Sequence, residues 1–542
     1  MLLTSYEFIT FFVILFACYY IFPKKYQWML LLIGSYAFYF ISGAISEGGF
    51  STLSGCFYIG LLFATTLITY GTAIGIERCG RKQKVYLKEH KEELSREEKK
   101  KYKEQGQKKK RGIMLLGLLA ALGILAVFKY ADFAVDNINF WIDRVGNGSE
   151  LGYPNLLLPM GISFYTFQSL GYLLDVYWER CEAQKNLGKY MLFVSFFPQL
   201  VQGPISRYSD LAKSLYEAHK FDWKNIRFGL ERILWGFFKK LVIADTIITA
   251  VECLITDEYY NGAWVLVGII FYGIELYADF TGGIDITIGV AQTLGVKVQE
   301  NFIRPYFSKN IAEYWRRWHI SMGTWFRDYI FYPMSISKSM NKLTRFCKNH
   351  LGKGFAKRVP VYLATMVTWF ATGIWHGASW NFIMWGVMNG VVILISGEFE
   401  PFYEWFRKKF PRLVRTSAYK AFQIIRTFLL MGTLRMFDCY EDVPLTFQMF
   451  GSMFRDFDLS ALTAEEFSYL GLTPAQYIIV FAGTLLMFAV SLLQRKGSVR
   501  EWISAKPYIV KYTIFVGLFL AVLLFGAYGV GFDASQFIYN QF

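Results

Sequence analysis

Apolar runs long enough to cross a bilayer recur from one end of this chain to the other, and they restrict its fold more than any other feature. At about twenty apolar residues per crossing, membrane spans are predicted over 4–22, 26–42, 53–76, 113–130, 155–177, 228–252, 263–288, 359–378, 380–397, 417–437, 477–494 and 511–530. Backbone polar groups in hydrocarbon must be satisfied internally, and runs of this length do so as helices. The reading is an all-α polytopic membrane protein with about 11–12 transmembrane helices. A single membrane-embedded domain is expected, with N-terminal helices over 1–150, a core over 155–400 and C-terminal helices over 401–542. Residues 190–205, broken by Pro198 and Gly203-Pro204, and 311–333, which is too charged to span simply, are predicted to be re-entrant or interfacial.

Composition agrees, since 54% of the 542 residues are hydrophobic and 19% aromatic, far from a soluble domain. The net charge of +15 does not indicate nucleic-acid binding, because the Lys and Arg residues collect in short stretches between apolar runs, where they report orientation. The most basic stretch, 78–111, contains Lys99-Lys100-Lys101 and Lys108-Lys109-Lys110-Arg111 and is placed in the cytoplasm as a solvated helical hairpin or connector. Counting spans from it puts residues 297–317, 338–358 and 495–506 inside, and 132–155, 438–476 and the C-terminus outside. The first apolar run has no basic segment ahead of it and no small-residue cleavage site, so a transmembrane helix is expected there instead of a removed signal peptide. Seven cysteines are scattered singly, which indicates neither a disulfide framework nor a metal site.

Within this apolar background the chain has only five histidines, and two of them, His319 and His376, fall in or beside tryptophan-rich membrane segments. An imidazole is costly in hydrocarbon unless it is hydrogen-bonded or faces a wet cavity, so the pair marks a substrate path or reaction centre. A neutral imidazole can take a proton from an attacking hydroxyl and return it to a leaving group, which suits transfer of an acyl group from a thioester to an alcohol. Arg316 and Arg317 flank His319 and are candidates for holding donor phosphates by bidentate contacts. Asp279 and Asp285 lie within an apolar helix and need partners there, for which these arginines or a histidine nitrogen are the candidates. Ser163, Gln168 and Arg207 supply further polar positions, as do Trp375 and Asn381 around His376. A proton-coupled transporter using the same ionisable groups is the reading from a different class.

The blocks FYTFQSLGYLLDVY, FFPQLVQGPISRY, DFTGGID, ENFIRPYFSKNIAEYWRRWHISMGTWFRDYIFYP and GIWHGASWNFIMWG resemble the membrane-bound O-acyltransferase (MBOAT) superfamily, and within it the AlgI-like branch concerned with alginate O-acetylation. The resemblance runs over about residues 160–390. It implies a many-helix fold around a central tunnel, His376 as the catalytic histidine and His319 as the second functional one. It also implies an acyl-thioester donor such as acetyl-CoA with no bound cofactor, an extracytoplasmic polysaccharide acceptor, a bacterial plasma-membrane location and an extracytoplasmic acetyltransferase partner of the serine-active SGNH, AlgJ-like type. The related DltB branch, which transfers D-alanine to teichoic acid, is the alternative. Gly282-Gly-Ile-Asp285 stands where the AlgI-like pattern has Gly-Tyr-Ser-Asp, and the basic segment ahead of Gly112 is extended.

Overall fold

A computed structural model describes residues 2–46, 49–146 and 149–528. The end of the span expected over 511–530, the C-terminus and Asn147 in the expected outer loop lie outside the described residues. The described chain is almost wholly helical, with one two-stranded ribbon pairing Ile45–Ser46 with Gly49–Phe50. Its contacts divide it into two units, residues 1–227 with 290–299, and residues 228–289 with 300–542.

The first unit holds α1 (Tyr6–Ile21), α2 (Gln27–Ala44), α3 (Thr52–Glu89), α4 (Arg96–Val145), α5 (Ile162–Tyr177), α6 (Leu187–Ser195), α7 (Phe197–Gln202) and α8 (Tyr208–Tyr216). The basic stretch continues α3 and α4 as a helical hairpin with no loose connector. Its turn ends in a capping box, in which Ser95 and Glu98 satisfy each other's backbone amides. Lys84 and Lys110 anchor the hairpin on Glu179, each at 2.8 Å, and their hydrogen bonds hold that carboxyl down at about 2. The expected re-entrant segment is broken as its prolines and glycine required, between α6, α7 and an extended stretch over 203–206. Gln199 closes that stretch by donating to Pro204 O at 2.9 Å and to Ser206 Oγ at 2.6 Å. One expected span is corrected at its start: 155–161 is not helical, and α5 begins after Gly161, whose φ of 69° suits glycine.

α9 (Trp223–Phe237) leads into the second unit and passes through a π-helical turn (Phe238–Ala244) into α10 (Asp245–Thr256) and the long α11 (Ala263–Thr293). The second broken segment contains α12 (Ile311–Trp315), α13 (Ile320–Phe326), a π turn (Arg327–Phe331) and α14 (Tyr332–Ser335). There follow α15 (Lys338–His350), α16 (Lys353–His376), α17 (Trp380–Glu398), α18 (Glu400–Lys409), α19 (Pro411–Arg415), α20 (Ser417–Arg435), α21 (Val443–Arg455), α22 (Ala464–Tyr469), α23 (Pro474–Leu493), α24 (Val499–Ser504) and α25 (Tyr508–Phe525).

Seven of the described helices are long and apolar enough to span a membrane, and each coincides with an expected span. The other five expectations fall on α1, α5, the α9–π–α10 stretch, α16 and α20, which are shorter, interrupted or more charged. Membrane helices gain most from close backbone approach, and glycines supply it in the second unit. A Cβ on Gly282 or Gly289 of α11 would lie 3.0 or 2.7 Å from the carbonyl oxygens of Gly236 and Gly229 on α9. Gly373 and Gly386 bring α16 onto α17 in the same way, since a Cβ on Gly373 would sit 2.5 Å from Phe382 O.

Candidate active site

His319 ends the break between α12 and α13, with φ 46° and ψ 55°, a left-handed conformation rare for a residue with a side chain. Its backbone is fixed from both sides: Ile303 N donates to Arg317 O at 2.9 Å and Ile320 N to Asn301 O at 3.0 Å. The ring is fully buried. Asn301 sets the ring's proton. Its Oδ1 accepts from Ser321 N at 3.0 Å and Ser321 Oγ at 2.9 Å, so its amide nitrogen is the group that faces His319 Nδ1, at 3.2 Å. An amide N–H can only donate. His319 Nδ1 therefore accepts, and the neutral ring carries its proton on Nε2.

His376 is the last residue of α16, buried at the turn where Gly377 takes extended backbone and Ser379 caps α17. The Gly373–Gly386 approach places Trp385 against it, edge to face, with centroids 4.5 Å apart. The indole of Trp375 joins the two histidines, with its centroid 5.1 Å from His376 and 6.1 Å from His319, both edge to face. Phe280 completes the wall around His319 at 5.0 Å.

One charged group enters this aromatic box, and sequence reasoning did not single it out. Arg435, at the end of α20, lies over the faces of Trp385, Trp318 and Trp315 at 4.8, 5.3 and 5.8 Å and pairs with Asp438 at 2.8 Å. Cation–π attraction of this kind strengthens as water is excluded. Burial lifts the Asp438 carboxyl to about 6, against the opposing pull of Arg435.

The remaining candidates separate. Trp375 is in the box, and Asn381 borders it, donating to Tyr440 O at 2.6 Å to tie α17 to the turn after α20. Arg316 is exposed, and Arg317 pairs with Glu313 at 2.5 Å. Asp279 and Asp285 do not pair with these arginines or with a histidine. Lys240 takes Asp279 at 2.5 Å and Asp245 at 2.7 Å; Lys239 and Arg232 take Asp285 at 2.7 Å each, and Arg232 also binds Glu300 at 2.6 Å. The reason is register: the π turn carries adjacent lysines facing α11, and the glycine seam brings them within reach. Ser163, Gln168 and Arg207 belong to the first unit. Lys129 Nζ donates to Ser163 Oγ at 3.4 Å, Gln168 Nε2 donates to Phe193 O at 2.6 Å, and Arg207 precedes α8 half-buried. Among the described residues no group of His, Cys, Asp and Glu converges to hold a metal ion.

Residues 183–347 match the profile of the MBOAT, or membrane-bound O-acyltransferase, family. The chain is 34% identical to a probable alginate O-acetylase AlgI of Pseudomonas syringae pv. tomato over 70% of its own length and 67% of the relative's. Its identity to the corresponding Pseudomonas putida protein is 32%, over 79% and 84%. A peptidoglycan O-acetyltransferase of Helicobacter pylori is 30% identical over 56% of this chain and 59% of that protein.

Proposed function

This chain belongs to the membrane-bound O-acyltransferase family, and from that premise we propose that it moves an acetyl group from a cytoplasmic thioester, such as acetyl-CoA, across the bacterial plasma membrane for O-acetylation of an extracytoplasmic polysaccharide. It is an O-acyltransferase and a multi-pass membrane protein. The observation that carries the fuller reading is the single indole, Trp375, edged by both histidines.

In this reading His376 is the base. Its imidazole takes the proton from the attacking hydroxyl as the new C–O bond forms and the C–S bond of the thioester breaks, then gives that proton to the departing thiolate. A positioned base contributes about 10²- to 10⁴-fold. His319 presents Nε2–H as a donor to the carbonyl oxygen on which negative charge develops. Arg435, behind three indoles, adds fixed positive charge nearby. The acceptor hydroxyl belongs to the polysaccharide itself or to the serine of an SGNH-type partner that completes delivery outside. Names of the relatives favour polysaccharide acetylation, since two of those compared are alginate O-acetylases and one acetylates peptidoglycan.

The test is transfer by purified protein in detergent. With radiolabelled acetyl-CoA, the wild type should label protein or acceptor and His376→Ala should not. Uptake of a solute into liposomes without any acyl transfer would overturn the proposal in favour of transport.

A further inference from the structure

Within the second unit, the connection from α10 to α11 and the long connection from α20 to α23 fold onto one another, on the side that the charge pattern assigns to the exterior. Gly262 N donates to Ser452 Oγ of α21 at 2.8 Å. A Cβ at Gly262, whose φ of 60° favours glycine, would lie 2.2 Å from Asp456 O. Beneath this contact Tyr260 and Trp264 pack with Leu470 and Leu472 in one buried cluster. The two connections therefore present one outer surface, which serves no step of the proposed reaction.

That surface is strongly acidic. The first connection carries Asp257 and Glu258, and the second carries Glu441, Asp442, Asp456, Asp458, Glu465 and Glu466. Against these eight carboxylates, Arg455 is the one Lys or Arg in residues 256–262 and 439–473. Neutral groups donate to three of them: Tyr259 Oη to Glu466 at 3.2 Å, Tyr469 Oη to Glu465 at 3.2 Å and Gln448 Nε2 to Glu258 at 3.3 Å. Such donors leave the negative charge in place. Carboxylates in this number do not enter hydrocarbon, so the surface stands in water. Large apolar side chains are nonetheless exposed on the same segments: Phe454 is 89% exposed, and Phe447, Phe457, Leu459 and Tyr469 are exposed with it. On the spanning helices lipid covers such groups, but here lipid tails do not reach. An exposed apolar set rimmed by charge marks a docking surface.

We propose that this face docks the basic surface of an extracytoplasmic protein, with Phe454 seated in an apolar pocket of that partner and the carboxylates meeting its Lys and Arg residues. An aromatic centre with a charged rim is the usual division of a protein interface, and complementary charge selects the partner. A second copy of this chain would bring the same carboxylates and be repelled, as would a polyanionic polysaccharide. A neutral glycan would leave the charge unanswered. The partner's role rests on the acyl-transfer reading and adds one statement to it: a polyanionic acceptor is held by the partner and not by this chain.

The experiment places the photocrosslinking residue p-benzoyl-phenylalanine at Phe454 of the full chain in its native cells, with Leu520 of α25, exposed on a candidate membrane span, as the control position. Irradiation should join position 454, and not position 520, to one extracytoplasmic protein. The affinity of that protein, once purified, for the full chain in detergent should fall about tenfold in Phe454→Ala, as for an interface anchor. It should fall by about tenfold or more in the double variant Asp456→Lys, Glu465→Lys, where like charges meet. A Lys→Glu or Arg→Glu change on the partner should restore binding to the charge-reversed chain, which a misfolded surface would not allow. His376→Ala should crosslink as the wild type does, so failure of the acyl-transfer reading is seen separately. A crosslink to lipid, to polysaccharide or to a second copy of the chain would overturn the proposal. So would the absence of any crosslink at position 454, or an affinity indifferent to charge reversal.

Discussion

Around Asp279 and Asp285 the buried acids meet Lys240, Lys239 and Arg232 at 2.5 to 2.7 Å, whereas around His319 and His376 the titratable rings are set among indoles and one amide. Both collections are buried in the same unit, and both include residues that the sequence marks as costly in a membrane. The first spends its charges on one another, which fixes α9, the π turn and α11 in register. In the second the imidazoles are set among indoles and the Asn301 amide, with the Arg435–Asp438 pair behind the indoles. Buried charge of itself therefore does not distinguish the two clusters; the kind of partner does.

The largest effect expected from breaking this contrast is at His376. His376→Ala should lower acyl transfer by about 10²- to 10⁴-fold while the protein still inserts and purifies as a monodisperse species. Retention of most activity would remove the proposed base.

At His319 the prediction turns on the Nε2–H donor. His319→Ala should cost about 10²-fold or more, as loss of an oxyanion donor does, and His319→Gln, which keeps an N–H, should recover part of it. Equal loss in the two variants would point to a base or to packing. Asn301→Asp sharpens this further by placing an acceptor opposite Nδ1. The ring proton should move to that side, and the variant should lose transfer while keeping the Ser321 contacts.

The charge cluster should respond in stability. Asp285→Asn leaves Lys239 and Arg232 short of a counter-charge and should cost about 3–5 kcal/mol, as removing one partner of a buried pair does. It should appear as a lowered melting temperature in detergent, with the histidine chemistry intact in whatever protein remains folded. A large fall in turnover at unchanged melting temperature would move Asp285 into the reaction.

Asp438 gives a pH signature of intermediate size. Its folded-state pKa of about 6 lies above the ordinary aspartate value of about 3.9. The shift therefore favours folding most below the ordinary value, and that contribution fades as pH rises through about 6. Activity should fall over the same window, as the ionised Asp438 cancels the positive charge that Arg435 supplies. Asp438→Asn should flatten both profiles relative to wild type, measured by thermal unfolding and by transfer rate across that range.

The smallest effects are expected at the arginines beside His319. Arg316→Lys should leave the KM for the thioester nearly unchanged, because the side chain is exposed. Arg317→Lys should cost no more than about 1 kcal/mol through its pair with Glu313. A severalfold rise in KM for either would restore them as donor contacts.

Much of this was legible in the chain. The spans and the broken character of 190–205 and 311–333 follow from apolar length and from proline and glycine placement, and the two tryptophan-flanked histidines are buried as the cost of an imidazole in hydrocarbon made worth noting. Arg435 was readable by the same rule, as a cation at the end of the apolar run 417–437 with Asp438 three residues on. It was masked because a basic residue at a helix end is ordinarily a snorkelling anchor.

What the sequence determined by itself is local: which segments are apolar enough to be helices in a membrane, where their backbone must break, and which side chains cannot sit there without a partner. The identity of each partner was decided only by tertiary structure. Asn301 reaches His319 across a break, Arg435 reaches Trp315 and Trp318 from more than a hundred residues along the chain, and Lys239 and Lys240 meet α11 because glycines on both helices let the backbones close. Such pairings depend on helix register and approach distance, which are set by packing between segments and leave no periodic signal within either one.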